Sequence, residues 1–135
     1  MQKISPIKFR TLWLCLALLG LVACSEPILY FAGGRLAGEE APLLELPTSS
    51  GVIQLETLPA DPYSVNIGFV LLDGKMFIDP AADRQWYQNI LSDPAVRVRF
   101  EGSDLVHPML TVKESDPVTL SQFDPQRIIL RLEPR

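Results

Sequence analysis

An Asp-Gly pair between two apolar runs constrains the fold of this chain more than any other short feature. Residues 64–72 read SVNIGFVLL, which is apolar and partly β-branched, and KMFI follows at 75–78. Asp73 and Gly74, between the two runs, are the residues favoured in a two-residue turn with positive φ angles. The pattern predicts a hairpin of two antiparallel strands.

Further segments have the composition of β-strands, and these are VIQLET, VRVRFE, LVHPMLTVKE and RIILRL. In the second of them, Val96, Val98 and Phe100 alternate with charged residues. Alternation places one side of a strand on a core and the other in solvent, which predicts a solvated edge-strand face for Arg97 and Arg99. About six strands that neighbour one another in sequence predict a mainly β fold, either an antiparallel meander or a small barrel.

One helix is predicted over about residues 81–92. Asp79 is a suitable N-cap residue, and Pro80 suits the first helical position. Trp86 and Ile90 are spaced four apart, so both lie on one side of the helix. An Asp-Pro pair ends the segment. Since the helix lies between two predicted hairpins, we expect it to close one end of a barrel.

The first 23 residues have the pattern of a secretory signal peptide. Three basic residues precede the run TLWLCLALLGLVA, which has 13 uncharged residues. The run is shorter than the roughly 20 residues of a membrane-spanning helix. A buried core helix is the alternative, but the run has no polar face and ends at small residues. The composition favours the signal peptide.

The sequence Leu21-Val22-Ala23-Cys24 resembles the lipobox of bacterial lipoprotein precursors. The resemblance implies a diacylglycerol on the sulfur of Cys24, cleavage before it, and a lipidated tether over residues 24–47. Two or more acyl chains hold a protein firmly on a bilayer. Ser25 follows the cysteine where an aspartate would retain a Gram-negative lipoprotein at the inner membrane. This implies the outer membrane, facing the periplasm.

The charge and the cysteine count exclude several functions. Three of the twelve basic residues and none of the 16 acidic ones precede Cys24, so the remainder has a formal charge of −7. Such a surface repels phosphate backbones, which argues against nucleic acid as a partner. The only other cysteine, Cys15, leaves with the signal peptide. Disulfide, thiol-redox and cysteine–metal chemistry are therefore excluded from the mature chain.

No common catalytic motif occurs in the chain. The sequence has no G-x-S-x-G, H-E-x-x-H, P-loop or G-x-G-x-x-G pattern. His107 is the only histidine, so one chain holds no multi-histidine metal site. A lone histidine beside Pro108 is more often a packed or surface residue than a catalyst. The proline cannot donate to a strand ladder, which predicts an edge or a bulge there.

The order of the segments resembles the pyridoxamine 5′-phosphate oxidase-like, flavin-binding split β-barrel family over residues 33–135. The segments that carry the resemblance are GGRLAGEEAP, IQLETLPADPYSVNIGFVLLDGKMFIDP, DRQWYQNILSDPAVRVRF and RLEPR. The resemblance implies a split-barrel domain over residues 48–135 that forms a homodimer. In such proteins FMN or a deazaflavin binds in clefts at the dimer interface.

The resemblance also implies site residues. Arg84 matches the basic residue near the helix that commonly holds the cofactor phosphate, although an exposed ion pair with Asp83 or Asp79 is an equal alternative. Asn66 and Gly68 would offer a side-chain amide and a bare backbone to a ring system. Trp86 either forms a wall of the cleft or packs on the barrel, and packing is the favoured alternative.

Two departures from the family weaken the cofactor expectation. The stretch SDPVTLSQFDPQ is shorter than the helical segment that often builds the cleft, and the signal lacks the twin arginines of folded export. A chain exported unfolded arrives without its cofactor. The sequence therefore predicts an envelope lipoprotein that binds a ligand or a partner without catalysis. A flavin- or deazaflavin-dependent oxidoreductase and a structural dimeric envelope protein are the alternatives.

Overall fold

A computed structural model describes residues 33–135. The seven strands there are β1 (Glu39–Glu40), β2 (Gly51–Thr57), β3 (Tyr63–Leu72), β4 (Lys75–Ile78), β5 (Ala95–Phe100), β6 (Leu105–Lys113) and β7 (Leu130–Pro134). The helices are α1 (Gln85–Ser92) and the one-turn α2 (Pro117–Leu120). The predicted signal peptide and Cys24 lie outside the described residues.

Six of these strands form a closed antiparallel barrel in the order β6-β5-β2-β3-β4-β7, with β7 pairing back to β6. The seventh strand, β1, pairs in parallel with the start of β6, where Glu39 lies opposite Leu105. Closure pairs each barrel strand on both sides, which limits the exposed backbone edges of an open sheet. The predicted mainly β fold with a small barrel and one longer helix is confirmed.

The Asp73–Gly74 hairpin is also confirmed. Leu72 lies opposite Lys75, and the two turn residues have φ angles of 51° and 70°. Both values lie in the left-handed region, which glycine adopts without strain and aspartate tolerates better than most residues. This local chemistry sets the register of β3 against β4.

Alternate residues of the strands fill the barrel. Ile53 and Leu55 of β2 face inward, and so do Val96 and Val98 of β5 and Met109 of β6. All five side chains are at most 1% exposed. Burial of aliphatic side chains contributes roughly 1.5–3 kcal/mol each, so this layer is the main source of stability in the fold.

The helix begins later than predicted. Its N-cap residue is Arg84 and not Asp79, and the Arg84 side chain makes no capping hydrogen bond. The carboxylate of Asp79 lies instead 3.6 Å from the guanidinium of Arg127. On the barrel side, the Asn89 amide donates to the hydroxyl of Thr57 at 3.0 Å. Together with buried Trp86 and Ile90, this contact packs α1 on the barrel where β2 ends.

The predicted solvated edge-strand face of β5 is wrong. Strand β5 lies between β6 and β2, and Arg97 is only 7% exposed, while Arg99 is half-buried. Arg97 and Arg99 are shielded from solvent because a segment outside the barrel covers this face of β5. Residues 33–41, here called the N-terminal strap, lie across the outer face of β2, β5 and β6.

Ionic and backbone contacts hold the strap. Both carboxylate oxygens of Glu56 accept from Arg97 Nη1, at 3.0 and 2.9 Å, and the Leu36 N–H donates to Glu56 Oε2 at 2.7 Å. The Glu40 carboxylate lies 3.2 Å from Arg97 Nε. Arg99 donates to the Ala37 carbonyl at 2.6 Å. A charged pair that alternation alone assigns to solvent is thus buried under the strap.

A second buried carboxylate joins β6 to β7. Glu114 Oε1 accepts from the backbone N–H groups of Ser115 and Asp116 at 2.9 and 3.0 Å, and Oε2 accepts from Arg131 Nη1 at 2.7 Å. The Asp116 N–H is the main cause of a lowered pKa for Glu114; burial opposes it, and Arg131 reinforces it. The ionised form of Glu114 therefore stabilises the folded barrel.

We expect Glu114→Gln to lower the free energy of unfolding by about 1–3 kcal/mol at pH 7, since hydrogen bonds to a charged group are the stronger ones. Because the folded pKa lies below the unfolded one, the contribution is present above the ordinary glutamate pKa of about 4.3. It is lost as the pH falls through the folded value. Urea unfolding at pH 7 and pH 3, with exposed Glu101→Gln as control, measures it. If the native protein and Glu114→Gln differ in unfolding free energy by the same amount at pH 7 and pH 3, the ionised form of Glu114 is not what stabilises the barrel.

Candidate functional site

A cleft of about 710 Å³ opens beside β3, between that strand and the loop that precedes α1. Its volume lies within the roughly 300–1,000 Å³ that is typical of small-molecule sites. The residues that line it are Val52, Tyr63, Val65, Asn66, Ile67, Gly68, Asp79, Ala81, Asp83, Arg84, Gln85, Trp86 and Arg127. We refer to it below as the β3 cleft.

The cleft exists because β3 is longer than its partner β4. Strand β4 pairs with β3 only over residues 70–72. On the same side of β3, Gly33 forms an isolated antiparallel bridge with Ser64. Among residues 33–135, no strand pairs with that edge of β3 between these two points. The barrel is closed through the β3–β4 pairing at residues 70–72, and the stretch of this edge around Asn66 and Gly68 pairs with no strand among residues 33–135.

Alternation along β3 decides which backbone groups face the cleft. Ser64 exchanges two backbone hydrogen bonds with Gly33, so its N–H and C=O point away from β2. In an antiparallel strand every second residue points the same way. The N–H and C=O groups of Asn66 and Gly68 therefore point into the β3 cleft.

The lining of the cleft has an apolar part, here called its floor, and a charged part. Val65 and Ile67 are half-buried against the core, and Trp86 is 8% exposed. The charged part includes the exposed residues Arg84 and Asp83. The cleft thus combines an apolar surface, open backbone groups and ionic side chains, as small-ligand sites commonly do.

Arg84 makes neither of the ion pairs that the sequence left open. Within the described part of the chain, no carboxylate lies within 4.0 Å of its guanidinium. Asp79 is paired with Arg127 instead. The backbone C=O of Arg84 accepts from the N–H groups of Tyr87 and Gln88, at 3.1 and 3.2 Å. Arg84 is thereby held at the start of α1, and its side chain is exposed at the cleft.

The structure brings the three residues proposed for cofactor binding, Arg84, Asn66 and Gly68, to one cleft. Trp86 satisfies both of its alternatives, because it belongs to the core and also lines the cleft. His107 does not line the cleft. It is buried near the strap, where its Nδ1 lies 2.9 Å from the Ala41 carbonyl oxygen.

Sequence reasoning missed two parts of the site. Arg127 and Asp79 reach the cleft as a pair from segments 48 residues apart, and neither local sequence signals this. Also missed was the stretch of the β3 edge that has no partner strand in the described part of the chain. A signal for it existed, since SVNIGFVLL is longer than the KMFI run that pairs with it.

Two further observations concern residues 33–135 alone. No helix in this range is long and apolar enough to cross a membrane. In the same range, no group of three or more His, Cys, Asp or Glu residues is arranged to hold a metal ion.

No protein-family model matches this chain, and no curated protein matches it. The structure alone therefore shows the fold class, which is a small antiparallel β-barrel with a cleft on one side. The resemblance to the pyridoxamine 5′-phosphate oxidase-like family stays a prediction.

Proposed function

We propose that the chain is a lipid-anchored envelope protein whose split barrel binds an anionic, partly aromatic ligand without transforming it. The observation that carries the proposal is the β3 cleft, whose lining combines Arg84, which makes no ion pair in the described chain, with the apolar residues Val65 and Ile67. The lipobox at Cys24 supports the anchor. The barrel is the ligand-binding part of the molecule.

An anion is the favoured ligand because the N-terminus of α1 carries two kinds of hydrogen-bond donor, backbone N–H groups and the Arg84 guanidinium. The first N–H groups of α1, at Gln85 and Trp86, have no acceptor within the helix, and a helix N-terminus carries a partial positive charge. The Arg84 guanidinium adds a planar fork of donors that suits phosphate or carboxylate. The apolar floor at Val65 and Ile67 suits a ring attached to that anion.

The anchor places the barrel close to the membrane. Eight residues separate Cys24 from Gly33, which is bridged to β3. A fully extended chain spans at most about 3.3–3.6 Å per residue, so the nine steps from Cys24 to Gly33 reach at most roughly 32 Å. A lipid on Cys24 therefore keeps the cleft near the bilayer surface.

Binding without catalysis is favoured by the residues of the cleft. Its lining within the described chain includes no His, Cys, Ser, Thr or Lys, and Asp79 is engaged by Arg127. The second candidate, a flavin-dependent oxidoreductase, is favoured by the fit of Arg84 and the open Gly68 backbone to a phosphate and a ring. There the flavin would supply the redox chemistry, and these residues would only hold it.

We expect Arg84→Ala to weaken FMN binding by about 10–100-fold, because it removes charge-assisted hydrogen bonds to the phosphate. Riboflavin, which has no phosphate, should bind the variant and the native protein equally. Calorimetric titration of both ligands into the detergent-purified protein measures this, with the distant Arg135→Ala as the matched control.

The outcomes separate the candidates. If Arg84→Ala leaves FMN affinity unchanged, Arg84 does not hold the phosphate. If FMN does not bind at all, the flavin-like ligand class is wrong. If the FMN-loaded protein steadily oxidises NADPH, the non-catalytic proposal is wrong and the oxidoreductase is correct. Sedimentation velocity distinguishes a monomer from the homodimer that the family resemblance implies.

A further inference from the structure

A second cavity, of about 480 Å³, lies beside the turn that joins β5 to β6. We refer to it as the β5 cavity. It shares Val52 and Asn66 with the β3 cleft, but neither Arg84 nor Trp86 lines it. Its volume also lies within the range of small-molecule sites. The β5 cavity is therefore a separate candidate site.

A row of polar side chains from three neighbouring strands lines the β5 cavity. Asn66 of β3 lies opposite Gln54 of β2, and Gln54 lies opposite Arg99 of β5. Gln54 points outward, because Ile53 and Leu55 on either side of it fill the barrel. Residues directly opposite one another share a face of the sheet. Since neighbouring strands are about 4.8 Å apart, the row spans roughly 10 Å.

Two hydrogen bonds fix the orientation of this row. Arg99 Nε donates to Gln54 Oε1 at 2.6 Å, and Arg99 Nη1 donates to the Ala37 carbonyl of the strap at 2.6 Å. Because Arg99 Nε can only donate, Gln54 turns its amide oxygen toward Arg99 and its amide nitrogen away. Within the described chain, the amide nitrogen of Gln54 and the side-chain amide of Asn66 have no hydrogen-bond partner. The row thus offers oriented groups to a ligand.

The charges of the lining favour a neutral ligand. Arg99 contributes one positive charge, and the exposed residues Glu101 and Asp104 contribute two negative charges, which gives a formal charge of −1. A lining with a negative balance disfavours phosphates and carboxylates. Hydroxyl groups suit it, because each can donate to a carboxylate and accept from an amide or guanidinium N–H.

We propose that the β5 cavity binds a neutral saccharide. The planar amides of Asn66 and Gln54 each present two polar atoms, which suit neighbouring hydroxyl groups of a sugar ring. Val52, which is 48% exposed, adds an apolar surface for the C–H groups of the ring. The strap holds Arg99 in place before any ligand arrives, which reduces the cost of ordering that side chain on binding. The inference does not depend on the ligand of the β3 cleft.

NMR of the full chain, purified in a sugar-free detergent, tests the proposal through the side-chain amide signals of Gln54 and Asn66. The probes are glucose, galactose, mannose and N-acetylglucosamine, each titrated to millimolar concentration. We expect at least one of them to shift both signals to saturation. Inorganic phosphate, added as the anionic probe at the same pH, should leave both signals in place.

Gln54→Glu isolates the contribution of the amide. The new carboxylate still accepts from Arg99, so the row stays in place, but the N–H donors of the amide are lost. We expect the affinity for the bound sugar, read from the Asn66 signal, to fall by about tenfold. Gln122→Glu makes the same charge change outside the lining of the cavity, and it should leave the affinity unchanged.

Three results would overturn the proposal. One is that no sugar shifts the Gln54 and Asn66 signals. Another is that phosphate shifts them and the sugars do not, which would make the cavity an anion site. The third is equal sugar affinity in Gln54→Glu and the native protein, which would place the sugar elsewhere on the surface.

Discussion

Glu56→Ala is expected to lower the free energy of unfolding by about 3–5 kcal/mol, because it leaves the buried guanidinium of Arg97 without its main partner. The Glu56 side chain is fully buried and that of Arg97 is 9% exposed. The same change removes the acceptor of the Leu36 N–H, so the strap loses a contact as well. Urea unfolding followed by tryptophan fluorescence measures the loss.

Two comparison variants show whether burial causes the effect. Asp79→Ala breaks an ion pair whose side chains are about half exposed, and it should cost no more than about 1 kcal/mol. The double variant Glu56→Leu with Arg97→Met replaces both charges by apolar groups, and it should be far less destabilised than Glu56→Ala alone. A Glu56→Ala loss as small as that of Asp79→Ala would show that water reaches this pair.

Cys24→Ser is expected to release the protein from the membrane into the soluble envelope fraction. Each buried CH₂ of an acyl chain contributes about 0.8 kcal/mol, so losing two chains reduces membrane partitioning by several orders of magnitude. Membrane fractionation with immunodetection measures the distribution, and intact-mass spectrometry of the native protein reports the lipid on Cys24.

Cys15→Ser is the matched control for the anchor, because Cys15 lies within the predicted signal peptide and is lost on cleavage. It should leave both the mature mass and the membrane fraction unchanged. Ser25→Asp should keep the lipid but retain the protein at the inner membrane of a Gram-negative host. An intact mass of the native protein that shows no acyl group on Cys24 would refute lipid anchoring.

Local features of the barrel were predictable from the sequence because they depend on neighbouring residues. The Asp73–Gly74 turn has both positive φ angles, and the strand after it covers KMFI as expected. Local rules misplaced the helix start, because Asp79 binds Arg127 and does not cap. The sequence next to a helix shows which residue could cap it. It does not show that a distant residue, here Arg127, binds that side chain instead.

The candidate site was predictable in part. Family resemblance predicts Asn66, Gly68 and Arg84 as site residues, and the structure places them in one cleft. The cleft lies where the edge of β3 pairs with no strand among residues 33–135. That gap depends on strand lengths and on the Gly33 bridge, which is a contact between distant residues. Successive residues of β3 direct their backbone N–H and C=O groups to opposite edges of the strand. Which residues face the cleft follows only once the partner of each edge is known.

The sequence by itself determined the strand-rich pattern, the hairpin and the basic, apolar start that ends at Cys24. Tertiary structure alone decided that Arg97 is buried. Its partner Glu56 lies 41 residues away, and the strap that covers both comes from a third segment. Alternation reports which side of a strand faces the core, but not what covers the other side. Burial of a charge is decided by solvent access, which the whole fold sets.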